Sequence, residues 1–283
     1  MPEMSRPSFP RFVDLAPGVR MPRLGLGTWR LRGDLLRGVL DQAFAAGYRL
    51  VDTASYYDNE SSVGQAVTHC GLSREALFVT TKIRGRDQGR ESAVTGCELS
   101  LRRLNLDYVD LLLIHWPQPM NDQYCETWEA LIELRERGLV RAIGVSNFNP
   151  THIDRIICAT GVTPAVNQIQ CNPAVQNRTM RVYNHSCRIH TQAWEPLGTT
   201  GNVLVEPSVV SIAEQVGRTP AQVVLRWQLQ LGNSAVPKSA TPRRLHENFD
   251  VFDWELPADL HAELDRLDNG GSDRADPDVQ IVD

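Results

Sequence analysis

The chain reads as an α/β protein, a (β/α)8 barrel preceded by a short N-terminal β-hairpin. Short apolar, β-branched runs alternate with helix-period segments from one end to the other. Most runs begin roughly 24 to 32 residues apart, the length of one strand, one helix and two loops. The runs are also apolar throughout, as in VDLLLI at 109–114, which is the pattern of parallel strands covered on both faces. An open doubly wound sheet shares the alternation but needs a phosphate fingerprint after its first strand. Gly25-Leu26-Gly27-Thr28-Trp29 does not supply G-x-G-x-x-G. No Pro/Gly/Ser linker or charge block interrupts the pattern, so residues 1–283 are expected to form a single barrel domain.

The elements follow in order. Residues 12–15 and 19–22, around Ala16-Pro17-Gly18, predict the hairpin. Strands are predicted at 24–28, 50–53, 77–82 and 108–115, then at 140–146, 165–169, 189–194 and 234–237. Asn59 and Glu60 open a helix running through Val67, and residues 90–104 and 127–137 are amphipathic. Thr219-Pro220 starts a helix over 221–231, with proline in the first turn where its missing N–H costs nothing. The polar stretch 198–206 between the seventh and eighth strands is a candidate lid.

Composition narrows the function. A hydrophobic fraction of 42% fills a core and a charged fraction of 22% suits a soluble surface. The net charge of −5, with no basic stripe interleaved with aromatics, argues against a nucleic-acid partner. Six cysteines are scattered without a C-x-x-C pair, so reduced thiols are expected rather than disulfides or a metal site. With no leader-like apolar region at the N-terminus and no membrane-length apolar run, a cytoplasmic protein without a membrane partner is expected. The cations are nearly all arginine, and the only lysines are Lys82 and Lys238. An ammonium is a compact charge whose pKa shifts readily, so these two exceptions stand out.

Reactive groups of a barrel gather at the C-terminal ends of its strands. Asp52 lies at the end of the second predicted strand, Tyr57 in the loop after it, Lys82 at the end of the third and His115 at the end of the fourth. Each alone has an ordinary reading: a turn cap, a packing ring, a snorkelling lysine, a core histidine. Together they fit hydride reduction of a carbonyl, which needs a proton for the developing alkoxide. A phenol with a pKa near 10 is a poor acid at neutral pH. A nearby ammonium lowers that pKa, a carboxylate holds the ammonium, and a histidine orients the carbonyl oxygen. From these residues alone, Tyr56 and Tyr57 are equal candidates for the acid.

Beyond these four residues the chain resembles the aldo-keto reductase superfamily. The resemblance rests on Val51-Asp52-Thr53-Ala54-Ser55-Tyr56-Tyr57-Asp58-Asn59-Glu60, on Val79-Thr80-Thr81-Lys82, on Leu112-Leu113-Ile114-His115-Trp116-Pro117 and on Gly144-Val145-Ser146-Asn147-Phe148. It runs from the hairpin almost to the C-terminus. The family's Y-x-N-E pattern selects Tyr57 as the acid and leaves Tyr56 to line the pocket. Trp194 within Gln192-Ala193-Trp194-x-Pro196-Leu197, with Asn248-Phe249-Asp250-Val251-Phe252-Asp253, resembles the prokaryotic 2,5-diketo-D-gluconate reductase branch.

The resemblance implies NADPH as cofactor, a small-molecule carbonyl substrate and a monomer. It implies Ser146, Asn147 and Gln168 on the nicotinamide carboxamide, Trp194 stacked on the ring, and the backbone of Leu197, Gly198 and Thr199 near the pyrophosphate. Around the second lysine it implies Lys238, Ser239 and Arg244 on the adenosine 2′-phosphate, with Glu247 and Asn248 near the adenine. The pocket is expected to be lined by Trp29, Tyr56, Trp116 and the loop 118–122. Three departures are Glu195 in place of a small residue, Thr241-Pro242 in place of basic residues, and Ile83-Arg84-Gly85 without the tryptophan common after the lysine. A non-catalytic cofactor-sensing barrel is the alternative of a different class, and alcohol oxidation with NADP+ the alternative direction.

Overall fold

A computed structural model describes residues 9–199, 201–270 and 275–279. The expected domain 1–283 and the stretch 198–206 thus each include residues outside the described ones. Strands β1 (Phe12–Ala16) and β2 (Val19–Pro22) pair antiparallel as the predicted hairpin. Eight parallel strands follow: β3 (Gly25–Gly27), β4 (Leu50–Asp52), β5 (Phe78–Ile83), β6 (Val109–Ile114), β7 (Val140–Ser146), β8 (Val166–Gln170), β9 (His190–Trp194) and β10 (Ser234–Ala235). They hydrogen-bond in chain order, and a parallel bridge from Leu24 to Ala235 brings the first strand to the last. This is the (β/α)8 barrel.

Closure at that seam is tight. A Cβ on Gly27 would lie 2.7 Å from the carbonyl oxygen of Val236, so only glycine lets the two strand ends approach. The eighth strand is shorter than the predicted 234–237. Pro237 has no N–H to extend the ladder, although its carbonyl still accepts from Gly27 N at 3.0 Å.

Among the described residues, ten α-helices wrap the barrel. They are α1 (Gly33–Ala46), α2 (Glu60–His69), α3 (Arg90–Leu104), α4 (Tyr124–Glu136), α5 (Pro150–Thr160), α6 (Arg178–Ser186), α7 (Pro207–Val216), α8 (Pro220–Gln230), α9 (Pro242–Phe249) and α10 (Ala258–Asp265). Helix α8 begins where Thr219-Pro220 predicts, and a reciprocal capping box explains why. Thr219 Oγ1 accepts from Gln222 N at 3.2 Å, and Gln222 Oε1 accepts from Thr219 N at 2.9 Å. The candidate lid is partly helical, because Asn202–Val205 form a 3-10 turn leading directly into α7.

Two apolar layers result. The larger lies between strands and helices; the smaller fills the barrel interior with Val19 and Met21 of the hairpin, Leu50, Phe78, Leu111, Leu113, Ala142 and Val166. Strand side chains alternate faces, so each interior position recurs every second residue. Moving up from that floor gives Leu50 to Asp52, Phe78 to Lys82, Leu113 to His115, Ala142 to Ser146 and Val166 to Gln168. The apolar floor and the polar mouth are thus one register of the same strands.

Candidate active site

Lys82 is fully buried, and two oxygens hold its ammonium. Nζ donates to Asp52 Oδ1 at 2.5 Å and to the Thr53 carbonyl at 2.8 Å. It also lies 5.1 Å from the centroid of the Tyr57 ring. The ring of His115 is 5.8 Å from that of Tyr57, nearly edge-on at 72°. The four residues expected from strand order are therefore neighbours. Tyr56 lies further from His115, at 6.2 Å, and stacks on Trp29 instead.

The loop carrying Tyr57 is pinned from both sides. Ser55 Oγ donates to the Lys82 carbonyl at 2.9 Å, fixing the loop to the end of β5. Asn59 precedes α2 but spends its side chain elsewhere: Nδ2 donates to the carbonyls of Thr28 and Leu31, and Oδ1 accepts from Thr53 Oγ1 at 2.6 Å. Glu60 is buried, with Thr81 Oγ1 on one carboxylate oxygen and Arg103 Nε on the other, each at 2.6 Å. A buried charge needs such partners. Asn59 therefore clamps the loops after β3 and β4 together, Glu60 ties the start of α2 to β5 and α3, and Tyr57 takes its place from them.

Electrostatics separate the roles. The Tyr57 ring is partly buried, and its titrating end is enclosed. Burial pushes the phenol above its usual value while the Lys82 charge works against that, so the net direction is up. This corrects the expected net lowering: the ammonium acts in the expected sense, but desolvation by the surrounding protein outweighs it. Burial also works against the Lys82 charge, but Asp52 and Tyr57 raise its pKa overall. His115 is driven well below the usual imidazole value by burial and then by the Lys82 charge. It is neutral at physiological pH, and its Nδ1 is buried without a hydrogen-bond partner among the described residues.

Next to the tetrad, at the ends of β7, β8 and β9, Trp194 Nε1 donates to Asn147 Oδ1 at 2.8 Å, and Asn147 Nδ2 donates to the His115 carbonyl at 3.1 Å. Ser146 Oγ donates to the Gln168 carbonyl at 2.9 Å. Asn147 holds a left-handed backbone, φ 61°, which turns its amide back over the mouth. Gln168 Nε2 reaches across the interior to Asp52 Oδ2 at 2.7 Å. Beyond the barrel end, Lys238 and Arg244 are exposed and carry no ion pair among the described residues. They flank Thr241, which precedes α9 and donates from its N–H to the buried Ser239 Oγ at 3.3 Å. Asn248 is buried on α9, and Glu247 pairs with Arg243 at 3.4 Å.

Residues 23–269 match the model of the aldo/keto reductase family. The chain belongs to the aldo/keto reductase family. Methylglyoxal reductase DkgA of Escherichia coli K12 is 42% identical over 272 residues, covering 95% of this chain and 98% of its own. An aldo-keto reductase of Mycolicibacterium vanbaalenii is 47% identical, covering 92% of each chain. The crystal structure of Gox0644 without ligand superposes with a TM-score of 0.90 at 43% identity, covering 95% of this chain and 98% of its own. A Gox0644 mutant in complex with NADPH superposes equally well.

In this aldo/keto reductase the residues that depart from the expected pattern have definite places. Glu195 follows β9 in a left-handed backbone, φ 48°. Its carboxylate accepts from Thr199 Oγ1 at 2.9 Å and from Gln170 Nε2 at 3.2 Å, so it is tied into the rim. The N–H of Gly198 donates to the Glu195 carbonyl at 3.0 Å. Gly85 stands where a Cβ would meet the Gln118 side chain at 2.2 Å, which lets the loop 118–122 lie against the end of β5. Thr53, Ser55 and Gln192 belong to the site but were not singled out from sequence. A polar residue at an inward-facing position is the signal that identifies Gln192. No helix among the described residues is long and apolar enough to cross a membrane, and they contain no cluster of metal-ligating side chains.

Proposed function

We propose that the protein reduces small aldehydes and ketones to alcohols with NADPH, using Tyr57 as general acid. The observation that carries the reading is the enclosed ammonium of Lys82, fixed by Asp52 and Thr53 beneath Tyr57 and beside a neutral His115. Two cations with no ion pair among the described residues, at a helix start without a side-chain cap, are the right chemistry for a phosphomonoester. On this reading Lys238, Ser239 and Arg244 would hold the 2′-phosphate, with Glu247 and Asn248 near the adenine. Ser146, Asn147 and Gln168 would hold the carboxamide, Trp194 would stack on the ring, and Leu197 to Thr199 would follow the pyrophosphate.

NADPH, when bound, supplies the hydride. The chain's residues handle the oxygen. The His115 imidazole and the Tyr57 hydroxyl both donate to the carbonyl oxygen and orient it. As charge develops there, Tyr57 gives up its proton, and the Lys82 ammonium stabilises the phenolate left behind. Asp52 keeps Lys82 charged throughout. A proton from solvent then restores Tyr57. The resting phenol, held protonated by burial, has its proton in place before substrate arrives.

Trp29 stacks on Tyr56 at 5.6 Å and lies 4.8 Å from Tyr57, and Trp116 meets Trp194 at 6.5 Å. Aromatic walls of this kind suit compact carbonyl compounds. The relatives named methylglyoxal reductase support a dicarbonyl among the substrates. The reading also takes the protein as a monomer and as cytoplasmic, and the six free cysteines fit a reducing compartment. The test is NADPH oxidation, followed by absorbance, over a panel of dicarbonyls, aldehydes and keto-sugars. Turnover with any of them supports the proposal. Cofactor binding without turnover on every carbonyl would favour the sensing barrel instead.

A further inference from the structure

The Asp52 carboxylate has two buried partners, and only Lys82 follows from strand order. Oδ1 accepts from Lys82, and Oδ2 accepts from Gln168 Nε2 at 2.7 Å. Because a carboxylate only accepts, the nitrogen of the Gln168 amide must face Asp52. That nitrogen has a second proton, which goes to Gln192 Oε1 at 2.6 Å. The Gln192 amide is thereby oriented too, and its own nitrogen faces Met21 Sδ at 3.6 Å, a weak acceptor on the hairpin. Gln168 and Gln192 are register partners on β8 and β9, and both are buried, at 2% and 0% exposure. A row of polar groups thus runs from the hairpin plug to the Lys82 ammonium.

We infer that Gln192 is a positioning residue, which fixes the Gln168 amide and through it the Asp52 carboxylate that holds Lys82. Among the described residues Gln192 Oε1 is the acceptor for the second Gln168 proton, so an apolar residue at 192 would leave a buried donor unpaired. The Gln168 amide would then turn or shift to find an acceptor, and Asp52 would lose the contact that sets the plane of its carboxylate. The inference rests on the proposed reaction for its catalytic consequence but not for its geometry.

With only two lysines in the chain, the geometry can be read directly. In protein labelled with 13C-lysine and carrying Lys238→Arg, one lysine side-chain signal remains, and it reports Lys82. Gln192→Leu should displace that signal and lower kcat about tenfold, the size of one lost hydrogen bond to a charged group. Gln192→Glu keeps an acceptor toward Gln168, so it should restore both readouts toward wild type. Should the leucine variant not fold, Gln192→Asn replaces it. It is one methylene too short to reach Gln168 and should show the same loss. An unmoved Lys82 signal and unchanged kcat in a folded leucine or asparagine variant would overturn the inference, as would equal loss in the glutamate variant. Wild-type protein inactive on every carbonyl would sink the proposed reaction, yet leave the Lys82 signal to decide the role of Gln192.

Discussion

Gln168 and Asp52 lie on strands four apart in an eight-stranded barrel, and a hydrogen bond of 2.7 Å joins them through the interior. A strand four places away is diametrically opposite, so this contact spans the barrel axis. The acid–base group at one side of the mouth is thereby coupled to the side where a cofactor amide is expected. Asp52 consequently does more than neutralise Lys82: it is the node at which both walls meet.

Removing the charge from that node has a defined cost. Asp52→Asn keeps the shape but leaves a fully buried ammonium without its counter-ion. Stability to urea should fall by about 3–5 kcal/mol, the cost of breaking a buried pair from one side. A loss below about 1 kcal/mol, the worth of an exposed pair, would mean that Lys82 is solvated in the folded state.

Arg244 addresses the cofactor phosphate. Its guanidinium is exposed and carries no ion pair among the described residues, so Arg244→Ala should leave the fold intact. A charged hydrogen bond contributes about 1.5–3 kcal/mol, so the NADPH dissociation constant should rise about tenfold to a hundredfold. NADH lacks the 2′-phosphate and should bind as before. Fluorescence titration with both cofactors measures this, and an equal effect on the two would contradict the phosphate role.

Acid should destabilise the fold through buried imidazoles. Burial, with the Arg23 charge adding to it, pushes His190 down to about 3, and His115 is also well below its usual value. Below the unfolded value of about 6.5 the unfolded chain takes up a proton that the folded chain refuses, so stability falls as pH falls. His190 alone should account for about 2 kcal/mol between pH 7 and pH 5, at about 1.4 kcal/mol per pH unit. Urea unfolding at the two pH values gives the slope. His190→Gln should flatten it by that amount, and an unchanged slope would mean that His190 is solvated.

Much of this was legible in the sequence, for reasons specific to each element. The run at 109–114 is apolar on both faces, which only a covered strand needs, and β6 occupies those residues. Asp52, Lys82 and His115 could be placed because each ends a strand, and barrel ends converge. Helix α6 was not legible: Met180 and Asn184 are its only buried residues, so no apolar stripe marks it. The Gln168 to Asp52 contact was hidden for a different reason. Periodicity tells which side chains face the interior, but not which of them meet across it from 116 residues away. The resting state of Tyr57 depends on a balance between burial and the Lys82 charge, which the folded arrangement sets and the order of residues does not.

Tyr57→Phe tests the central claim most directly, since it removes one hydroxyl and leaves the ring packed against Trp29 and His115. Both cofactor fluorescence quenching and turnover should be followed on the same preparation. The account predicts a wild-type dissociation constant for NADPH and a turnover lowered by about a hundredfold to ten-thousandfold, the contribution of a general acid. Turnover close to wild type with intact cofactor binding would contradict it and place the proton donor elsewhere.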